Sequence, residues 1–367
     1  MNIIKLSASL ILLSFTLALS AQNVTETRSY FRSVPASGET TLELSNRFGS
    51  IHLTSWRKDS ISIKTEIEAY GTNEEYFRKI FDGITINMSE TSQLVRVETH
   101  FEQNISMLFE SFKGITDRFI DYSSGVEINY YITIPEYLDL RIENRYGDVF
   151  MENCSGNFTA TLTNGDFRAG SLEEECSLTL SFCNASVRSL ASGKIDASFS
   201  EISIEKCGNL RVNSLSSRFD LTETESLNAE SRRDKFYINT ISSLSGNSYF
   251  TDFSIEEMLT GADINTRYGN FSIERISPRF GNINIISSYA DVTLTYDPDA
   301  AFSLEIEYMN ANVNLPGRNI KSRKEALNEE RREYFISATI GRNPGSRKTA
   351  INATRGNIYI RQPGLNL

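Results

Sequence analysis

Asp148 and Asp166 occupy matching places in two copies of one phrase, "NRYGDV" (144–149) and "LTNGDF" (162–167). Two carboxylates brought side by side either repel or share a cation. Arg145 and Arg168 stand close by as neutralisers, and the G-G-x-G-x-D phrase of calcium-binding repeats is absent, so neither a metal nor any other cofactor is expected. The four cysteines, Cys154, Cys176, Cys183 and Cys207, include no C-x-x-C pair and share the chain with only two histidines, which argues against zinc. Glycan chemistry would need a carboxylate pair, or a cation with a basic Arg or Lys, on one outward face. His52 and His100 fall at strand positions and read as packing or surface residues. No G-x-S-x-G elbow, P-loop or dinucleotide fingerprint occurs, and "EEE" (173–175) reads as a solvated turn. The residues therefore predict a noncatalytic protein with no catalytic site.

What positions these side chains is a repeat. The phrase is a small or polar turn, a polar position, then two apolar residues separated by one outward residue: "GDVFM" (147–151), "GDFRA" (165–169), "SRFDL" (217–221), "DKFYI" (234–238), "TDFSI" (251–255). Its first apolar residue falls at Val149, Phe167, Val187, Ile202, Phe219, Phe236, Phe253, Phe271, Val292 and Val313, at spacings of 18, 20, 15, 17, 17, 17, 18, 21 and 21. Outlying copies stand at "GSIHL" (49–53) and "GNIYI" (356–360). The outward positions are Phe150, Arg168, Arg188, Ser203, Asp220, Tyr237, Ser254, Ser272, Thr293 and Asn314, among which no carboxylate pair forms. A second alternating run precedes each turn, as in "NFTATLT" (157–163) and "FSLEIEY" (302–308).

Period-2 alternation marks half-buried strands, and a two-strand unit returning about every 18 residues marks a solenoid. A single coil cannot bury its own apolar side; stacking makes the core continuous. The predicted fold is all-β: a parallel β-solenoid, β-helix-like and right-handed by default, of about ten coils. Phe219, Phe236, Phe253 and Phe271 should form an internal column at about 4.8 Å per step. Gly147, Gly165 and Gly269 are the expected positive-φ residues, with Asn144, Asn164 and Asn184 as left-handed alternates. On this register the thiols are mostly unpaired; Cys154 with Cys176, in adjacent coils, is the one bridge the placement permits.

Three stretches, "NRFGSIHLTSW" (46–56), "IPEYLDLRIENRYGDVFMENCSGNFTATLTNGDF" (134–167) and "SATIGRNPGSRKTAINATRGNIYI" (337–360), approximate a repeated S/T-x-N/R-x-G-D/N-V/I unit, meeting its G-D/N-V/I end at Gly147–Val149 and Gly356–Ile358. In them the chain resembles the bacterial putative-adhesin family of uncharacterised exported solenoid proteins. The resemblance implies export and a binding role, and it supplies no catalytic or ligand residue.

Residues 1–21 read as a signal peptide: Lys5, the apolar run 6–19, and small residues before Gln22. Residues 22–367 then form one exported domain, in the periplasm or at the cell surface, with no transmembrane span after signal removal. The net charge of −10, with both signs interspersed, argues against a phosphate-backbone partner, so no nucleic acid is expected. Two insertions interrupt the repeat. Residues 72–125 carry a short helical pattern (72–81) and strands 84–88 and 94–101, predicted to cap the N-terminal end as a small α/β unit. Residues 317–334, dense in both charge signs, read as a solvated loop or helix. Within the first insertion, Ile105, Leu108, Phe109, Phe112, Phe119 and Ile120 form an apolar stripe at helical spacing. It either packs on the solenoid or meets a partner, and Phe109, Phe112 and Phe119 are the candidate partner contacts. The reading that follows is a noncatalytic envelope or surface binding and scaffold protein, whose partner is a protein or glycan of the envelope. An accessory part of an envelope-sensing system and a glycan-active β-helix enzyme are the alternatives.

Overall fold

A computed structural model of the chain describes residues 24–71, 78, 81–102 and 125–363. The described strands, from Val24–Pro35 to Asn357–Arg361, join one hydrogen-bonded sheet, parallel through its middle and antiparallel towards both ends. Parallel neighbours lie 17 residues apart: Phe219 pairs with Phe236, and Phe236 with Phe253. Parallel strands in a flat sheet need a long crossover between them. Here each run leads straight into the next, so the strands can be parallel only if the chain winds. The architecture is solenoid-like.

Alternation decides which side faces in. Phe219, Phe236, Phe253 and Phe271 are each at most 1% exposed. Their rings follow one another at 4.6, 4.7 and 5.8 Å, the first two steps stacked and the third tilted. Two residues on, Leu221, Ile238, Ile255 and Ile273 form a second buried column. Leu210, Leu227 and Leu244 face them from the strands leading into the turn.

Registration corrects the sequence reading in one coil. Ala185 pairs with Ile202, and Val187 with Ile204. Val187 therefore belongs to the second column, and the outward residue between the pair is Ser186 rather than Arg188. With Ala185 in the first column, the spacings of 20 and 15 become 18 and 17. Apolarity had favoured Val over Ala, whereas the column needs only a side chain that fits beneath the turn.

Both ends are interlaced. The rung formed by Thr41–Arg47 and Ile51–Trp56 lies between rungs that come later in the chain: Leu42 pairs with Val95 on one side and Leu140 on the other, and Ile51 with Tyr130 and Val149. At the other end Lys348–Thr354 and Asn357–Arg361 slot between Asn282–Tyr296 and the rung of Phe302–Met309 and Asn312–Asn314. Val292 and Val313 are thus not neighbours; Ile358 separates them. The copies at 49–53 and 356–360 are integral rungs rather than outliers.

Glu43 bolts the first inserted rung to both neighbours. Arg96 donates to its Oε2 at 2.7 and 2.8 Å, and Arg141 to its Oε1 at 2.8 Å. The Arg96 hydrogen bond, with Arg141 behind it, holds the Glu43 carboxyl below its ordinary range. A depressed carboxylate contributes stability that is complete above the unfolded pKa and is lost as pH falls through the folded one. We expect Glu43→Gln to cost on the order of 1 kcal/mol at neutral pH, the clamp being partly exposed. The gap between variant and parent should close as pH drops through the carboxylate range. Urea melts at stepped pH test this, and a gap that does not change with pH would contradict it.

Outside these rungs, antiparallel strands continue the sheet. Ile84–Glu90 pairs with Leu94–Phe101, and Val24–Pro35 with Ser60–Gly71. Phe81 and Asp82 are helical, while most of 72–81 lies outside the described residues. The charged segment is neither loop nor helix. Ile320–Asn328 is an exposed strand, antiparallel to Glu333–Ile340, which itself pairs antiparallel with Phe302–Met309. High charge marked the segment as solvated, and a solvated strand suits a sheet margin, where lysines and arginines deter a further strand from adding.

Candidate functional site

The residues singled out for chemistry do not assemble a catalytic group. The Ser50 hydroxyl donates to Asn129 Oδ1 at 2.8 Å, so at its 3.0 Å contact with Ser50 Oγ the His52 Nε2 is the donor rather than a base. The His52 ring lies stacked between Tyr131 and Phe150, at 5.1 and 4.9 Å. Asp148 accepts the Asp166 backbone N–H at 2.8 Å, while Asp166 pairs with Arg168 at 3.3 Å. All four cysteines are buried and free. The Cys154 thiol donates to carbonyls of Leu138 and Gly156 instead of meeting Cys176. Burial pushes Cys154 up to about 11 and Cys176 and Cys207 to about 12, which leaves them poor nucleophiles. Among the described residues no group of three or more His, Cys, Asp or Glu could hold a metal ion, and no helix is long and apolar enough to cross a membrane. Phe109, Phe112 and Phe119 lie outside the described residues.

The unusual chemistry is at a corner the sequence reading treated as turn. In successive rungs the residue three before the first inward column has positive φ: Phe48 (63°), Tyr146 (58°), Asn164 (56°), Phe182 (56°), Phe199 (51°), then Ser216, Arg233, Phe250 (55°), Tyr268 (55°) and Tyr289 (56°). Asn164 behaves as expected, but Gly147 and Gly165 do not have positive φ and serve another purpose. A Cβ on Gly147 would sit 1.9 Å from the Gly49 carbonyl oxygen, and on Gly165, 2.2 Å from that of Gly147. Close approach of successive rungs requires them. The left-handed position falls one residue earlier, where a bulky side chain is a costly choice.

Four of these rings point to solvent, while Phe48, Tyr146 and Tyr268 are half-buried. Phe182, Phe199, Phe250 and Tyr289 are 59, 52, 48 and 40% exposed. They nonetheless stack along the axis: Phe48 on Tyr146 at 5.5 Å, Phe182 on Phe199 at 5.1 Å, Phe250 on Tyr268 at 4.8 Å, Tyr268 on Tyr289 at 5.1 Å. A buried polar spine fixes the turns beneath them. The backbone N–H of Cys183 donates to Ser200 Oγ, Ser200 to Ser217 Oγ, Ser217 to Asp234 Oδ1 and Asp234 to Thr251 Oγ1, each reaching one rung onward. Asp234, 1% exposed, also accepts the Ser214 and Ser231 hydroxyls, both at 2.6 Å, and the Arg232 N–H.

Arginines accompany the rings. Arg232 and Arg267 bracket Tyr249 at 6.0 and 5.8 Å, Arg267 also lies 5.3 Å from Tyr268, and Arg355 4.9 Å from Tyr289. Alongside runs a shallow groove. One stretch of about 410 Å³ is lined by Asn213, Glu230, Arg232, Asn247, Tyr249 and Arg267. It continues through Asn213 and Arg232 into a stretch of about 300 Å³ reaching Thr179 and Asp196. Rings beside amide and hydroxyl groups form an open, linear surface that can hold an extended chain.

No family model matches this chain, and no curated protein matches it in sequence. Among solved structures, a putative cell adhesion protein from Clostridium sporogenes is similar at 12% identity and a TM-score of 0.19, over 92% of this chain and all of the other. A putative lipid binding protein from Parabacteroides distasonis aligns at 8% identity and 0.28, over 91% and 96%. A putative adhesin from Bacteroides fragilis aligns at 10% and 0.20, over 91% and 97%. Superpositions this loose leave both fold and role to be argued from the chain's own residues.

The signal for the corner was present in "NRFGS", "NRYGD", "TRYGN" and "SSYAD". An aromatic residue stands three places before the first inward column, where a turn reading looks past it to the glycine or small residue that follows.

Proposed function

We propose that this protein is a noncatalytic binding solenoid of the cell envelope or surface, and that it holds an extended polymer along its aromatic corner. In this reading the solenoid winds right-handedly, as parallel crossovers do, through about ten coils. The apolar leader at residues 6–19 supports export. The observation that carries the binding role is the set of solvent-exposed rings at positive φ, in register along the axis. A bulky residue there costs roughly 1 kcal/mol or more, and exposed stacking returns only part of that. Asn, which the chain itself uses at Asn164 and Asn310, would relieve the strain. Stability alone therefore does not account for Phe and Tyr.

Phe182→Asn with Phe199→Asn, and Phe250→Asn with Tyr268→Asn, should leave the melting temperature unchanged or slightly raised. Each pair should weaken binding on a polysaccharide array at least tenfold. A large fall in stability would mean the rings serve packing, and unchanged binding would remove the corner from function. The apolar stripe at 104–120, with Phe109, Phe112 and Phe119 as anchors, is a proposed second contact, to a protein partner. Replacing it with a Gly/Ser linker should abolish crosslinking of that partner on intact cells while sparing glycan binding. If crosslinking survives the replacement, the second contact is wrong.

A further inference from the structure

The spacing of charge along the corner points to what lies there. Arg232 pairs with Tyr249, Tyr249 with Arg267, Arg267 with Ser288, and Ser288 with Thr354, the residue before Arg355. Guanidinium groups therefore stand on alternate rungs, at Arg232 and Arg233, then Arg267, then Arg355. Rings stand on the rungs between, Tyr249 with Phe250 and then Tyr289, while Tyr268 shares the Arg267 rung and links the two in one stack. Two rungs span about 10 Å, and one pyranose adds about the length of one rung to an extended chain. Among the described residues none of these four arginines has a carboxylate at ion-pair distance, although Arg168, Arg218 and Arg275 elsewhere on the solenoid each have one. Acids around the corner, the buried Asp234 beneath it among them, have hydrogen-bond donors of their own. Asp252 accepts the Asn270 side-chain amide, Asp291 that of Asn357, and Glu230 that of Asn247. On a chain of net charge −10, unpaired guanidiniums in a row beside exposed rings are a local exception.

We propose that the corner binds an acidic polysaccharide carrying a carboxylate on every second sugar. The arginines take the carboxylates and the intervening rings take the faces of the neutral sugars. The proposal rests on the binding role above and specifies its ligand. Planar guanidinium forks match carboxylates in geometry as well as charge, and rings present apolar faces to the C–H faces of sugars. Asn213, Asn247 and Asn265 line the adjoining groove, within reach of hydroxyl groups.

The test is calorimetry of the full mature chain with four probes: hyaluronan, which is acidic at every second sugar; polygalacturonate, acidic at every sugar; neutral cellohexaose; and polyuridylate. Hyaluronan should bind at least tenfold more tightly than the others, with affinity falling as salt rises. Arg232→Gln with Arg267→Gln and Arg355→Gln should cost at least tenfold and flatten the salt dependence, whereas Arg275→Gln should change neither. Equal binding of polygalacturonate would overturn the alternate-sugar match. Tighter binding of polyuridylate would transfer the corner to a phosphodiester polymer. If cellohexaose binds as well as hyaluronan and loses affinity only in the Phe250→Asn, Tyr268→Asn chain, the acidic ligand is wrong and the binding corner stands. If no probe or array glycan binds, both readings fall together.

Discussion

Truncation after Ile340 should unfold the C-terminal end of the molecule. The missing rung carries Ile351, Ile358 and Ile360, each at most 3% exposed. Burying such a side chain is worth about 1.5–3 kcal/mol, so the loss is on the order of 5–9 kcal/mol. The damage extends to the neighbours. Asn282–Tyr296 loses its partner on one face, and Asn312–Asn314 loses the strand it pairs with. The truncated chain should melt far lower, expose apolar surface to a fluorescent dye, and self-associate through the opened strands. A melt within a few degrees of the full chain would show that Lys348–Arg361 does not occupy that slot.

Phe236→Ala should cost about 3–5 kcal/mol. Its ring is fully buried and lies between Phe219 and Phe253 at 4.6 and 4.7 Å, so truncation opens a hole in the middle of a stack that cannot collapse along its own axis. The adjacent Tyr237 faces out, 38% exposed, with the Arg218 guanidinium 4.2 Å from its ring centre. Tyr237→Ala loses that contact and little else, and should cost well under half as much. Chemical denaturation of the two variants decides the point; equal losses would mean the inward register is wrong.

The interior of the solenoid was legible because strand alternation is local: "KFYI" places Phe236 and Ile238 inside and Tyr237 outside without reference to any other rung. Three features were not local. Ala185 could be placed only by its pairing with Ile202, since Val187 satisfies an apolar pattern better. The interlacing of 41–56 and 348–361 pairs segments that lie far apart in the chain, which no short window records. The charges of Ile320–Asn328 reported exposure, and exposure does not discriminate loop, helix or edge strand. The corner was hidden for another reason. Turn rules expect Gly or Asn at positive φ, so a ring there registers as flank rather than as the residue that pays for the site.

The interlaced ends also limit how such a chain can change length. A copy of the repeat appended after Arg361, or placed before Thr41, would find no free parallel edge, because each terminal rung already lies between two others. Among the described residues the rungs from Asp139 to Tyr296 stack in sequence order. A duplicated unit there would simply move the later rungs along the axis. Tandem gain and loss of repeats is thereby confined to the stretch that displays Phe182, Phe199, Phe250, Tyr268 and Tyr289, so each unit gained would lengthen the exposed corner while both closures stayed intact.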